Sequence, residues 1–95
     1  GPVGVNSASA ALNFGAPTKG TCVSQTVTVT GAVPDQPVVV STTVVPTYSG
    51  LSASVTSANT VTVSWCNFQS GGGAGTDPDG TGATYKVYVF DVVVP

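Results

Sequence analysis

The sequence contains no histidine, arginine or glutamate, and its charged side chains are two lysines and four aspartates. Without histidine, the Ser-His-Asp and Cys-His arrangements of nucleophilic enzymes cannot form, and the commonest general base at neutral pH is missing. Two separated lysines, Lys19 and Lys86, cannot neutralise a row of phosphates, as proteins that bind nucleic acid must. We therefore expect neither enzyme activity, nor a cofactor, nor binding to nucleic acid.

Long apolar runs are missing as well. No stretch approaches the ~20 apolar residues that a membrane span needs. The first residues also lack the charged and apolar regions of a signal peptide. We expect no insertion into a membrane, although a leader or a neighbouring domain could have been removed.

Valine and threonine are abundant and together make up about a third of the chain. Methionine is absent and the only leucines are Leu12 and Leu51, a usage that favours strands over helices. A chain of 95 residues forms one domain, and the stability of so small a domain is modest. A covalent staple or a partner is therefore expected.

Turn residues divide the chain into short strands with no helical periodicity between them. The predicted strands cover residues 10–14, 22–30, 38–42, 51–55, 60–68 and 84–94. This spacing predicts an all-β fold, specifically an antiparallel Ig-like or Greek-key β-sandwich of six to eight short strands. We expect a single domain over residues 9–95, in which residues 71–82 form a flexible glycine-rich loop.

The same valine–threonine alternation occurs twice, as "TVTVTG" at residues 26–31 and as "NTVTVSWCN" at residues 59–67. In one antiparallel register all the apolar side chains of both strands face the same side, and a slip of one residue would turn one set outward. That register pairs Cys22 with Cys66, Val23 with Trp65, Thr26 with Thr62 and Val27 with Val61.

Directly opposed residues have Cα atoms about 4.5 to 5.5 Å apart, which suits a disulfide. We predict a Cys22–Cys66 bridge on the outer face of the sheet, contributing about 4 kcal/mol to stability. The alternative is two unpaired thiols that lie near strand ends. A disulfide would imply an extracellular or virion-surface setting, or oxidation after release from a cell.

Acidic residues cluster only in "DPDGTG" at residues 77–82. A glycosidase needs two carboxyl groups about 5 to 9.5 Å apart, but a glycine-rich loop offers no rigid pocket around them. Asp77 and Asp79 also resemble the first half of a calcium loop, although the later acidic ligands of such a loop are missing. Turn formation is the favoured interpretation, with calcium binding as the alternative and no metal as the expectation.

One face of the last predicted strand combines Lys86, Tyr88 and Phe90, whereas Tyr85, Val87 and Val89 point the other way. Trp65 shares its face with valines and is interpreted as core. The run "VVV" at residues 38–40 is apolar on both faces and needs cover from the fold or from a neighbouring subunit. The candidate interface or ligand-binding residues are Val38, Val40, Lys86, Tyr88 and Phe90.

The order "ALNF", "GTC", "QTVTVTGA", "PVVVS", "GL", "SANTVTVSWCN" and "TYKVYVF" resembles a small β-sandwich domain of structural proteins of tailed phages, often at the end of fibre-like or surface-decorating chains. The resemblance covers residues 9–90. It implies a virion-surface or fibre module, and the family offers no catalytic residues that could be matched to positions in this chain. The chain departs from the pattern in its glycine-rich insertion at residues 71–82 and in "PDQP" at residues 34–37.

The segment "GPVGVN" reads as two Gly-X-Y triplets of a collagen-like stalk, which would require three chains. Residues 1–8 are therefore either the end of a stalk or the remnant of a cleaved tag. We expect a structural module at a virion surface or in an extracellular setting, with copies of itself as a homotrimer and other virion proteins as partners. The alternative is an adhesin-like or carbohydrate-binding module that recognises a host-surface glycan. A third interpretation is an accessory domain of a secreted enzyme.

Overall fold

The computed structural model describes residues 3–15, 17–43, 49–69, 71 and 82–92, and these contain strands and no helix. The strands are β1 (Val3–Leu12), β2 (Cys22–Thr28), β3 (Val38–Thr42), β4 (Ser49–Ser57), β5 (Thr60–Asn67) and β6 (Ala83–Val92). Every pairing between them is antiparallel. The all-β, antiparallel part of the sequence prediction is confirmed.

The strands form two three-stranded sheets that enclose one core. The first sheet has the order β1-β6-β3, and the second has the order β2-β5-β4. β1 lies next to β2 and β3 lies next to β4 where the two sheets meet at their edges. The two central strands, β5 and β6, therefore carry most of the inward-facing side chains.

The core consists of side chains that alternate along the strands, as a period of two requires. Its buried members are Leu12, Phe14, Val27, Val29, Ala32, Val55, Val61, Val63, Trp65, Tyr85, Val87 and Val89. Trp65 is 1 % exposed, which confirms its interpretation as core. The Phe14 ring bridges the sheets, since its centroid lies 6.1 Å from that of Trp65 and 5.3 Å from that of Tyr85.

The predicted register between the two valine–threonine strands is confirmed. Cys22 lies opposite Cys66, and Val23 lies opposite Trp65. A disulfide joins Cys22 to Cys66 on the outer face, with Cα atoms 4.0 Å apart, somewhat closer than expected. No unpaired thiol is left in the chain. The expected staple thus connects β2 to β5 outside the core.

A pair of turns extends this pairing beyond the ends of the strands. Asn59 lies in the β4–β5 turn with φ 62°, and its side-chain Oδ1 accepts a hydrogen bond of 2.8 Å from the Gly31 N–H. The Asn59 carbonyl accepts from the Val29 N–H, and its N–H donates to the Ala32 carbonyl, both at 2.9 Å. The segments "TVTVTG" and "SANTVTV" are therefore joined by their turns as well as by their strands.

Strand β1 differs most from its predicted bounds, because it starts at Val3 instead of residue 10 and ends at Leu12. Ala8 and Ala10 pack against the core, so the alternation of β1 is carried by small residues that give little signal. Residues 3–8 thus pair with β6 in the first sheet. The origin of residues 1–8 as tag or stalk stays a prediction.

Two inward-facing polar residues were not anticipated from the sequence. Asn67 is 4 % exposed, and its Nδ2 donates to the Pro17 carbonyl at 3.1 Å while its Oδ1 accepts from the Gln69 N–H at 2.9 Å. Gln25 faces inward on β2 and donates its side-chain N–H to the Asn13 carbonyl. Both side chains bind the β1–β2 connection to the second sheet, so neither is left without hydrogen bonds.

Candidate functional site

The outward-facing side of the first sheet carries the candidate residues of β6. Tyr85, Val87 and Val89 are fully buried, so the alternating residues Lys86, Tyr88 and Phe90 point away from the core. This separation of faces is the one predicted from the sequence. The strand is central in its sheet, and neighbours on both sides therefore determine what surrounds each outward side chain.

The register places apolar partners beside both aromatic residues. Phe90 lies opposite Val5 of β1, and its N–H donates to the Pro37 carbonyl at 2.9 Å. Tyr88 lies between Ser7 of β1 and Val39 of β3. Val5 is 52 % exposed and Val39 is 49 % exposed, while both aromatic side chains are half-buried. We call the group Val5, Val39, Tyr88 and Phe90 the valine–aromatic surface.

The five candidate interface or ligand-binding residues lie on two sides of the first sheet. Val38 lies opposite Val89 and Val40 lies opposite Val87, and both pack against the core. Directly paired residues point to the same side of a sheet, so these two valines face inward. Val39, which was not a candidate, takes the outward position. The pairing of β3 with β6 decides which of the three valines faces outward. The run "VVV" alone does not reveal that pairing, because all three positions have the same side chain.

Lys86 occupies a more polar part of the same outer face, between Ser9 of β1 and Ser41 of β3. A cavity of about 180 Å³ lies beside it, lined by Ser41, Thr42, Thr43, Thr84 and Lys86. A second cavity of about 290 Å³ is lined by Ala11, Leu12, Asn13, Gly82, Ala83 and Thr84. Because Thr84 lines both cavities, they adjoin at the start of β6.

The outer face of the second sheet is different in chemistry. At one end of this face the exposed Phe68 ring lies against Gly50, which is paired with Cys66. Hydroxyl side chains surround the disulfide over the rest of the face, and we call this group the hydroxyl surface. Its members are Ser24, Ser52, Ser54, Ser64, Thr26, Thr28, Thr56, Thr60 and Thr62. Hydroxyl pairs bond across the strands, at 2.7 Å between Ser24 and Ser64 and at 2.9 Å between Thr56 and Thr62.

Asp77 and Asp79 lie outside the described residues, so their calcium alternative stays a prediction. Within the described part of the chain, no group of three or more His, Cys, Asp or Glu side chains is placed to hold a metal ion. The same residues include no helix long and apolar enough to cross a membrane.

Comparison with known proteins adds no relative to this description. No family model matches the chain, and neither a curated protein nor a solved structure matches it. The resemblance to a phage β-sandwich domain therefore stays a prediction that rests on the short segments quoted above.

Proposed function

We propose that this domain is a non-enzymatic structural and interaction module of a phage or virus particle, acting through protein contacts at the virion surface or in an extracellular setting. The observation that carries the proposal is the valine–aromatic surface. Its two valines are about half exposed on a regular sheet face, beside two half-buried aromatic side chains. Contiguous exposed apolar side chains of this kind are typical of protein interfaces, in which aromatic residues are enriched.

The proposed partners are further copies of the chain, as a homotrimer, and other virion proteins. The core already accommodates Val38 and Val40, so it is Val39 and its neighbours that a second chain would cover. The low charge of the chain suits such contacts, since few charged groups would lose water on association.

We further propose that the sandwich has Ig-like, Greek-key connectivity. In constant-type immunoglobulin domains one sheet has the order A-B-E-D and the other has C-F-G. If β2 to β6 correspond to B to F, the order β2-β5-β4 matches B-E-D and the pair β3-β6 matches C-F. Strand β1 then lies beside the equivalent of F, in the place where G lies in an immunoglobulin domain.

The disulfide supports a location outside the reducing cytosol. Such bonds persist in secreted proteins and at virion surfaces and are rare in cytosolic ones. Its position on the outer face leaves the Cys22 side chain exposed. A reducing compartment would therefore have direct access to this bond.

The test is the solution mass of the domain, measured by light scattering over a hundredfold range of concentration, with and without reductant. We expect a trimer that dissociates on dilution, and loss of association in the double variant Tyr88→Ser/Phe90→Ser. Phe68→Ser is the matched control, because Phe68 is an aromatic residue that is 69 % exposed and lies outside the valine–aromatic surface. Co-sedimentation with purified capsids and tails of tailed phages then tests the virion partner.

A monomer at every concentration would overturn self-association through this domain. Equal loss of association in Phe68→Ser would show that exposed aromatic area in general, and not this surface, drives it. Specific binding of the wild-type domain to one class of sugar on a glycan array, with loss in the Tyr88→Ser/Phe90→Ser variant and no binding to phage particles, would favour the carbohydrate-binding alternative over the virion role.

A further inference from the structure

The groove around Thr84 lies on the first sheet but outside the valine–aromatic surface. Its two cavities, of about 180 and 290 Å³, adjoin at Thr84 and run from the end of β1 across the start of β6 to β3. One cavity has hydroxyl side chains and Lys86 in its lining. The other is lined by Ala11, Leu12, Asn13, Gly82, Ala83 and Thr84, of which Leu12 and Ala83 pack against the core. The groove thus offers donors and acceptors beside the small side chain of Ala11.

Among the described residues that line the groove, Lys86 is the charged side chain. The acidic side chains among the described residues are Asp35 and Asp91. Asp35 lies in the β2–β3 turn, and Asp91 lies opposite Gly4 and accepts a hydrogen bond from Gln36. Five residues along a strand separate Asp91 from Lys86, which corresponds to about 17 Å. Among the described residues, no carboxylate therefore competes with an anionic ligand for Lys86.

The lining restricts the class of ligand. One lysine among neutral hydroxyl groups matches one carboxylate better than a phosphate dianion, which proteins usually hold with several donors. Ser41, Thr43 and Thr84 can each donate to and accept from ligand hydroxyls. The small side chain of Ala11 and the glycine at position 82 leave space for a sugar ring beside these hydroxyl groups. The position of the Thr84 backbone carbonyl is secured by Thr42, whose hydroxyl donates to it at 3.2 Å.

We propose that this groove binds a carboxylate-bearing saccharide, with the carboxylate at Lys86 and the sugar hydroxyls at Thr84 and Ser41. The site does not depend on the proposed virion role, because it uses other residues than the valine–aromatic surface. A protein that failed to self-associate could still bind the sugar, and a trimer could fail to bind it. The two proposals can therefore be contradicted separately.

The experiment is an amide chemical-shift titration of the whole domain with D-glucuronate, and with D-glucose as the uncharged counterpart. We expect shifts at Ser41, Thr43, Thr84 and Lys86 with glucuronate, and about tenfold weaker binding of glucose. Lys86→Gln should weaken glucuronate binding about tenfold, whereas Lys19→Gln, a neutralised lysine in the β1–β2 connection, should leave it unchanged. Thr84→Val retains the backbone carbonyl and should weaken binding several-fold.

Three results would overturn the proposal. They are no shift at these amides with glucuronate, equal loss in the Lys19→Gln and Lys86→Gln variants, and equally tight binding of inorganic phosphate at the same amides. The last result would identify a bare anion site instead of a saccharide site. The spectrum of each variant serves as the folding control: dispersed amide signals would show that the variant is folded and that loss of binding is not due to unfolding.

Discussion

The outer faces of the two sheets have the same backbone pattern and opposite chemistry. The second sheet presents the hydroxyl surface and the disulfide, with Phe68 at one end, whereas the first presents the valine–aromatic surface and the groove around Thr84. The inner faces of both sheets meet the same requirement, since both contribute fully buried valines to one core. The core does not require the difference between the outer faces, so the difference points to what each face contacts.

The two sheets also differ in how they are held together. The second sheet has the Cys22–Cys66 bond at one end of the β2–β5 pair and the Gly31–Asn59 hydrogen bond near the other. The first sheet has no such covalent bond among its described residues. Besides backbone pairing and packing, the Thr42 hydroxyl of β3 donates to the Thr84 carbonyl of β6, and the Gln36 side chain donates to Asp91 near the end of β6. We infer that the second sheet provides stability and leaves the first free to carry a binding surface.

Removing the disulfide should have the largest effect on this division. In Cys22→Ser/Cys66→Ser the crosslinked loop, whose ends are 44 residues apart, is free in the unfolded chain. We expect the free energy of unfolding to fall by about 4 kcal/mol, because that chain gains conformational entropy. Both cysteines lie on the outer face, so serine leaves no cavity in the core. Denaturant unfolding measures the loss.

Reduction of the wild-type domain under the same conditions is the control and should reproduce the loss in the double variant. A loss of unfolding free energy below about 1 kcal/mol would contradict this prediction, because it would mean that the bridge hardly restricts the unfolded chain. The stabilising role of the second sheet would then rest on its packing and turns.

Changing the turn at the other end of the β2–β5 pair should cost less. Asn59→Ala removes the hydrogen bond to the Gly31 N–H and places an alanine at φ 62°. Each of these two losses is about 1 kcal/mol, so we expect about 2 kcal/mol in denaturant unfolding. Asn59→Gly tolerates the backbone angle and should lose only about half as much. Equal losses in the two variants would contradict this separation of hydrogen bond and strain.

The register of the second sheet could be predicted because its constraints agree. Val23, Val27 and Trp65 had to face one side while two cysteines met on the other, and one alignment satisfied all of them. The first sheet offered no such combination. Its strand β1 alternates alanine with serine, and "VVV" in β3 is compatible with either parity.

The candidate site shows the same limit. Lys86, Tyr88 and Phe90 were assigned to one face correctly because they alternate within a single strand with buried residues. Val38, Val40 and Val5 depend on long-range pairing with β6, and that pairing is set by tertiary packing that no local pattern reveals. The groove at Thr84 was also missed, because it is formed by the ends of three strands that lie far apart in sequence.

The smallest expected effect on stability comes from exchanging chemistry between the two faces. Val39→Thr removes an apolar side chain from the valine–aromatic surface, and Thr62→Val adds one to the hydroxyl surface. Both changes keep a β-branched residue in its strand, and both side chains lie on outer faces. Thr62 loses its bond to the Thr56 hydroxyl, which is exposed and can bond to water instead. We expect unfolding free energies within about 0.5 kcal/mol of the wild-type value.

The two variants, Val39→Thr and Thr62→Val, should differ in self-association although their unfolding free energies are similar. Val39→Thr should weaken self-association in light scattering, because it reduces the apolar area that a second chain covers. Thr62→Val should leave association unchanged, since a single valine among hydroxyl groups forms no contiguous patch. If Thr62→Val associated more strongly than the wild-type domain, total exposed apolar area would govern assembly. The arrangement of Val5, Val39, Tyr88 and Phe90 on one face would then have no specific role.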